Sequence, residues 1–236
     1  MKKHLLPLVA LLVVADTALA QLETEGPFGS KVRLEVSDRM RYERFAWFET
    51  DPASATRDYD YGFFANRLQL GLRVTGEPLE FFVQYQHSLV TSIPDQSPGP
   101  GGAYYTNSPD KNQEKGILRN IWLRWKNPLG AQGLSLTAGR QIFRDGLEAP
   151  SADPTLLWLQ KSRISERLIG PFDYTHVGRS FDGGQVAFDN TAMNVTGFAF
   201  TPTWGGYEIN GNREPEIGVA GVSASLKALE ALPGTN

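Results

Sequence analysis

Arginine and glutamate side chains alternate with apolar side chains along residues 31–43, and this spacing limits the chemistry that the segment can do. Because residues two apart on a strand lie on the same face, the pattern predicts a β-strand with one charged face and one apolar face, which only Asp38 interrupts. A guanidinium group keeps its charge and donates paired hydrogen bonds to carboxylates, so the charged face is suited to binding anions. The charged face contains Arg33, Arg39 and Arg41 together with Glu35 and Glu43.

The same alternation recurs along the rest of the chain. Arg67 and Arg73 lie on the polar face of the strand predicted at residues 60–76. The sequence Gly76-Glu77-Pro78 that follows predicts a tight turn. Because about 9–11 residues cross a bilayer in a tilted strand, each predicted strand is long enough to do so. We predict eight strands, at residues 31–43, 60–76, 78–90, 117–126, 133–144, 180–189, 192–202 and 215–228.

The connections between the predicted strands alternate in length. Residues 91–116 and 145–179 are long links, whereas residues 127–132 and 189–192 are short. Long extracellular loops and short periplasmic turns are typical of outer-membrane barrels. The fold class that we predict is therefore all-β, an antiparallel transmembrane β-barrel with a short helix within residues 155–169.

Aromatic residues gather beside two of the predicted outer loops. We expect them to form a girdle at the membrane interface, as aromatic residues do in outer-membrane barrels. The alternative is that they form the core of a soluble β-sandwich. The residues are Phe45, Trp47, Phe48, Tyr61, Phe63 and Phe64 around residues 49–59, and Phe198, Phe200 and Trp204 further along.

The first twenty residues have the features of a secretory signal peptide. A basic pair, Lys2-Lys3, precedes an apolar run at residues 5–14, and Ala18-Leu19-Ala20 then supplies a cleavage site with small residues. We therefore predict a signal peptide at residues 1–20 and a partial barrel at residues 21–236, exported across the inner membrane to the bacterial outer membrane. Cysteine is absent and the net charge is −3, so neither a disulfide scaffold nor a nucleic-acid partner is indicated.

The sequence contains no recognisable catalytic or metal-binding constellation. His87 and His176 are isolated, and His87 cannot pair with its neighbour Ser88 because adjacent residues on a strand point to opposite faces. We therefore expect a protein that is not an enzyme and that needs no cofactor or metal.

Three short motifs in residues 118–189 carry a resemblance to a known family. They are Leu-Arg-Asn-Ile-Trp at 118–122, Gly-Arg-Gln at 139–141 followed by Arg144-Asp145, and Arg-Ser-Phe-Asp-Gly at 179–183. In combination they resemble the alginate export family of outer-membrane β-barrels. The resemblance implies an 18-stranded barrel that passes an anionic uronate polysaccharide outward through a lumen lined by arginine and lysine, with periplasmic export partners. It also implies that Arg119 and Arg140 are basic lumen positions, with Arg144 in the same segment.

Taken together, these features predict an outer-membrane, porin-like channel that passes anionic polysaccharide or small anionic solutes. With about eight strands, the chain is interpreted as the front part of a larger barrel, since eight strands alone enclose no pore. Two alternatives stay open: a non-transporting barrel whose loops bind a surface partner, and a soluble periplasmic sandwich that binds sugar. The predicted lumen residues are Arg33, Arg39, Arg41, Arg67, Arg73, Arg119, Arg140 and Arg144, and the residues of a constriction loop are Lys161, Arg163, Arg167 and Arg179.

Overall fold

One open antiparallel sheet makes up most of the structure, a computed structural model that describes residues 13–14, 18–47 and 58–227. Each strand pairs with its neighbour along the chain, except that β1 and β2 both pair with β3 on the same edge. The strands are β1 (Val13–Val14), β2 (Ala18–Glu25), β3 (Lys31–Ala46), β4 (Asp60–Thr75), β5 (Leu79–Thr91), β6 (Asn112–Lys126), β7 (Leu134–Gln141), β8 (Phe181–Asp189), β9 (Met193–Pro202) and β10 (Val219–Leu226).

All eight predicted strands are confirmed. β6 begins at Asn112 rather than at residue 117, so part of the predicted loop 91–116 belongs to the sheet. β1 and β2 were missed, and β1 and the start of β2 fall within the predicted signal peptide, which stays a prediction. Most of the predicted link 49–59 lies outside the described residues.

The two faces of the sheet differ from those of a typical water-soluble protein, because one exposes large apolar side chains and the other buries polar side chains beside an apolar core. On one face Leu34 is 49% exposed and Leu123 is 47% exposed, although both are apolar. On the other face Gln86 and Ser88 are completely buried, and Asn120 is 3% exposed. We call the face that carries Leu34 the outer face and the face that carries Gln86 the inner face.

The connections at the two ends of the sheet differ in length, as predicted. Residues 26–30, 76–78, 127–133 and 190–192 form short turns at one end, which we call the lower end. The links between the other strand pairs, including residues 92–111, 142–180 and 203–218, lie at the opposite, upper end. The sheet therefore has tight turns below and large loops above.

Short helices occur within these connections. The predicted helix in residues 155–169 is present as α2 (Pro154–Leu159) followed by a π-helical turn at Gln160–Ile164. A second helix, α1 (Gly99–Asn107), was not predicted, and 3₁₀ turns lie at Pro27–Gly29 and Pro128–Gly130. In the described part of the chain, no helix combines the length and apolar character needed to cross a membrane.

The predicted aromatic girdle is wrong for most of its members, because their side chains pack on the inner side. Tyr61 and Phe63 are buried with Tyr104 of α1, and the centroids of the Phe63 and Tyr104 rings are 5.9 Å apart. Phe200 is 4% exposed and packs against Phe143, with ring centroids 5.1 Å apart. Phe48 lies outside the described residues. These aromatic residues therefore hold the upper loops against the sheet.

Candidate functional site: an arginine face covered by a loop

The charged side chains of the inner face form two groups, and the lower group is paired internally. Its guanidinium groups contact glutamates on neighbouring strands, and Arg73 also lies 4.2 Å from the centre of the Phe82 ring. The pairs are Arg33–Glu23 at 2.7 Å, Arg73–Glu35 at 3.2 Å, Arg73–Glu80 at 2.9 Å and Arg124–Glu80 at 3.5 Å. We call this group the lower ladder; three arginines share three glutamates in it.

The upper group surrounds a single carboxylate from the long loop between β7 and β8. Asp173 Oδ1 lies 2.7 Å from Arg119 Nη2 and 3.4 Å from Arg67 Nη1, and its Oδ2 accepts a hydrogen bond from Arg144. Arg144 also donates to Glu166 at 2.7 Å. Three guanidinium groups therefore converge on Asp173.

The backbone around Asp173 is held as firmly as its side chain. We call residues 171–178 the strap. Five consecutive carbonyl oxygens of the strap, from Asp173 to Val177, accept hydrogen bonds from side chains of the sheet. The donors are Arg39 to the carbonyls of Asp173 and Thr175, Arg41 to Tyr174, Ser88 to His176 at 2.7 Å, and Gln86 to Val177 at 2.7 Å.

A β-bulge places Arg119 in this cluster. The pairing of β5 with β6 shifts between Gln84 and Tyr85, so Arg119 is the extra residue on β6, and bulges commonly redirect a side chain in this way. As a result, both Arg119 and its neighbour Asn120 are buried, at 1% and 3% exposure. Gly178, with a φ of +68°, packs against the guanidinium group; a Cβ there would lie 2.6 Å from Arg119 Nη2.

The protonation states of the strap follow from these neighbours. Burial alone would raise the pKa of Asp173, but Arg119, Arg67 and Arg144 outweigh it and hold this pKa below its usual value. Burial, together with Arg41, Arg39 and Arg67, lowers the pKa of His176 to about 2. The strap therefore presents a carboxylate and a neutral imidazole ring to the arginines.

The upper group carries an excess of positive charge. Five guanidinium groups share three carboxylates there. Arg39 Nε and Arg119 Nη1 are buried and have no hydrogen-bond partner among the described residues. The arginines are Arg39, Arg41, Arg67, Arg119 and Arg144, and the carboxylates are Glu43, Asp173 and Glu166.

One predicted lumen residue lies on the wrong side. Arg140 pairs across the sheet with Ile121, which is 42% exposed on the outer face, and with Asp182. Its guanidinium donates to both carboxylate oxygens of Asp182, at 2.7 and 2.5 Å, and to Asn212 at 2.8 Å. The prediction that Arg140 shares a face with Arg119 is therefore wrong. The other predicted lumen residues lie in the lower ladder or in the upper group.

The four residues predicted for a constriction loop differ in their burial. Arg179 is half-buried, with its guanidinium 4.9 Å from the centre of the Phe172 ring. Lys161, Arg163 and Arg167 are exposed and do not join the upper group. The part of the loop that folds onto the sheet is thus the strap. Sequence reasoning placed Asp173 among the charges of this loop but did not identify it as the partner of the arginines, and it did not single out Gln86 and Ser88 of β5, which bind the strap. The inward parity of Gln86 and Ser88 was visible in the sequence, but their binding to the strap was not.

No protein-family model matches the chain, and neither a curated protein nor a solved structure matches it.

Proposed function

We propose that the chain forms part of an outer-membrane, porin-like channel that passes anionic solutes along an arginine-lined inner face. The observation that carries this proposal is the exposure of large apolar side chains on one face of the sheet, opposite charged side chains on the other. Polar and charged side chains are buried on the inner face beside an apolar core, while apolar side chains are exposed on the outer faces of several strands. The exposed residues include Leu34, Val36 and Met40 on β3, Leu70 on β4, Tyr85 on β5, Leu123 and Trp125 on β6, Val186 and Phe188 on β8, and Val222 on β10.

Hydrocarbon is the solvent that suits such an outer face. Water-soluble monomers rarely expose a continuous apolar surface of this kind, and no described element packs over it. A transmembrane barrel satisfies every backbone group between strands and alternates lipid-facing with lumen-facing residues. The outer face also carries a few polar residues, among them Asp38, to which Asn66 donates at 2.5 Å. The hydrogen bond gives a partner to Asp38, the polar residue that interrupts the apolar face of β3.

The charge of the inner face supports an anionic solute. Inward arginines in a narrow pore raise the local concentration of anions, and interspersed carboxylates weaken binding enough to permit release. The upper group meets both conditions, since it is net positive and includes Asp173 and Glu43. The resemblance to alginate export proteins extends the proposal to uronate polysaccharides, and to a larger barrel of 18 strands.

Conductance of the full-length polypeptide in planar bilayers tests the proposal. Under a KCl gradient, we expect a reversal potential that indicates anion preference. The preference should shrink as salt rises from 0.1 M to 1 M, because the screening length falls from about 10 Å to about 3 Å. A cation preference, or bilayers that stay silent while deletion of loop residues abolishes binding to a surface partner, would favour the non-transporting barrel instead.

Quenching of tryptophan fluorescence by brominated lipids tests which face meets the membrane. Trp125 is 39% exposed on the outer face, whereas Trp122 is 8% exposed on the inner face three residues earlier. In single-tryptophan variants reconstituted into brominated liposomes, we expect several-fold stronger quenching of Trp125 than of Trp122. Equal quenching, or a chain that stays in buffer as a compact monomer, would support the soluble sandwich.

A further inference from the structure

A cavity of about 530 Å³ lies on the inner face, and Arg124 of the lower ladder and Arg144 of the upper group border it. Residues 142–150, the first arm of the long loop, form one side of it, and the inner faces of β6 to β9 form the other. Its volume lies within the range of roughly 300–1,000 Å³ that is typical of small-molecule sites. The cavity is thus large enough for one or two sugar rings.

The cations that border this cavity are already paired. Arg124 contacts Glu80, and Arg144 contacts Asp173 and Glu166. Lys227 Nζ lies 2.7 Å from Asp189. An anion entering the cavity would have to displace one of these carboxylates, so the cavity has no strong preference for negative charge.

The polar groups left free in the cavity have a different chemistry. Ser135 and Gln185 project from β7 and β8, and neither side chain has a hydrogen-bond partner among the described residues. Glu148, on the loop arm, likewise has no ion-pair or hydrogen-bond partner in the described part of the chain. A carboxylate with four lone-pair sites accepts from neighbouring hydroxyls, an amide both donates and accepts, and a hydroxyl does the same.

Apolar side chains complete the lining. Ile142, Leu147 and Pro150 of the loop arm face the polar strands across the cavity. Small-molecule sites combine such an apolar wall with a few polar groups that set orientation. A sugar ring offers the matching surface, since its hydroxyls lie around the edge and its C–H groups on the faces.

We propose that this cavity, which we call the wall cavity, binds an uncharged, polyhydroxylated solute of monosaccharide size. Glu148 accepts hydrogen bonds from hydroxyls of the solute, Gln185 and Ser135 hold its opposite edge, and Leu147 packs against its face. This site borders the arginine face of the proposed channel through Arg124 and Arg144, whose charges are already paired, and it selects for hydroxyl groups rather than for charge.

Binding is tested on the full chain in detergent by saturation-transfer difference NMR with D-glucose, which requires no pore. We expect saturable binding of glucose that weakens roughly fivefold or more in Gln185→Leu and in Glu148→Gln. Gln185→Leu loses its hydrogen bonds to the sugar, and Glu148→Gln replaces a charged acceptor with a weaker, neutral one. Ser135→Val should weaken binding as well. Ser37→Val, which makes the same change on the inner face of β3 outside the cavity, should not.

D-gluconate, which carries a negative charge, is the second probe, and its binding is compared with that of glucose. Tighter binding of gluconate than of glucose would overturn the proposal in favour of an anion site. Absence of saturable glucose binding, or equal glucose affinity in wild type, Gln185→Leu and Glu148→Gln, would also overturn it. Anion selectivity measured on Gln185→Leu and Ser135→Val, which alter no charge, should be unchanged, so failure here is distinguishable from failure of the proposed channel.

Discussion

Asp173→Asn is expected to lower the free energy of unfolding of the membrane-embedded chain by roughly 3 kcal/mol. The substitution keeps the shape of the side chain but removes the charge that three arginines share, and breaking a buried ion pair from one side costs about 3–5 kcal/mol. We take the low end of this range because the Asp173 side chain is 30% exposed. A substantial cost remains because the Arg119 side chain is 1% exposed and cannot be solvated by water after Asp173 has lost its charge. Urea-induced unfolding in lipid vesicles measures the difference.

Limited digestion with trypsin shows whether the strap has come loose in this variant. In the wild-type chain we expect cleavage after the exposed residues Lys161, Arg163 and Arg167. Arg144 and Arg179 are half-buried and should resist. In Asp173→Asn both should become cleavage sites, because the carboxylate that holds Arg144 and positions the strap is gone.

Glu166→Gln is the matched control for Asp173→Asn, since both carboxylates contact Arg144. Glu166 forms one ion pair near the surface, and its loss should cost less than about 1 kcal/mol, as for other exposed pairs. Equal effects of the two substitutions would show that Asp173 has no special role. A stable Asp173→Asn with an unchanged trypsin pattern would show that the backbone hydrogen bonds alone hold the strap.

Val36→Arg is expected to destabilise the membrane-embedded chain by about 2–4 kcal/mol, the cost of an arginine on the lipid face near the bilayer midplane. Val36 is 39% exposed on the outer face and pairs with Leu70 of β4, which is 44% exposed. The long arginine side chain has no partner there and must bend toward the membrane surface. The measurement is again equilibrium unfolding in vesicles.

Ser37→Arg is the control for Val36→Arg, because Ser37 is the adjacent residue on β3 and its side chain lies on the opposite face of the sheet. Ser37 pairs with Gln69 on the polar inner face, where an arginine joins other charged groups. We expect a change of less than about 1 kcal/mol, as for substitutions away from tightly packed features. The opposite order, with Ser37→Arg the more damaging, would mean that the faces are assigned the wrong way round.

The strands, their faces and the alternation of short and long connections could be predicted from the sequence. The parity of β3 separates Arg39 and Arg41 from Leu34 and Met40, and the structure keeps this separation. The signal is readable because the side-chain period of a strand is a local property of the backbone. The turn at residues 76–78 was equally readable, because glycine and proline mark turns through their own backbone preferences.

The alternation of side chains gave the wrong face for Arg119, where the backbone departs from regular pairing. Read from Trp122 and Arg124, the period of β6 would place Arg119 on the outer face, and only the bulge turns it inward. Tyr61 and Phe63 face inward because they lie an even number of positions from Arg67 on β4 and so share its face. The girdle prediction overlooked this alternation, and only the tertiary structure shows that Tyr104 of α1 and Val177 of the strap cover them.

By itself, the sequence determined a sheet with one charged and one apolar face, since that pattern needs only neighbouring residues. Which charges meet was decided by the tertiary structure alone. Asp173 is 54 residues from Arg119 and 106 from Arg67, and no local rule relates them. The physical reason is that the inward arginines cannot stay buried without acceptors, and the strap brings them a carboxylate and three carbonyl groups. Two further carbonyl groups of the strap accept from Ser88 and Gln86.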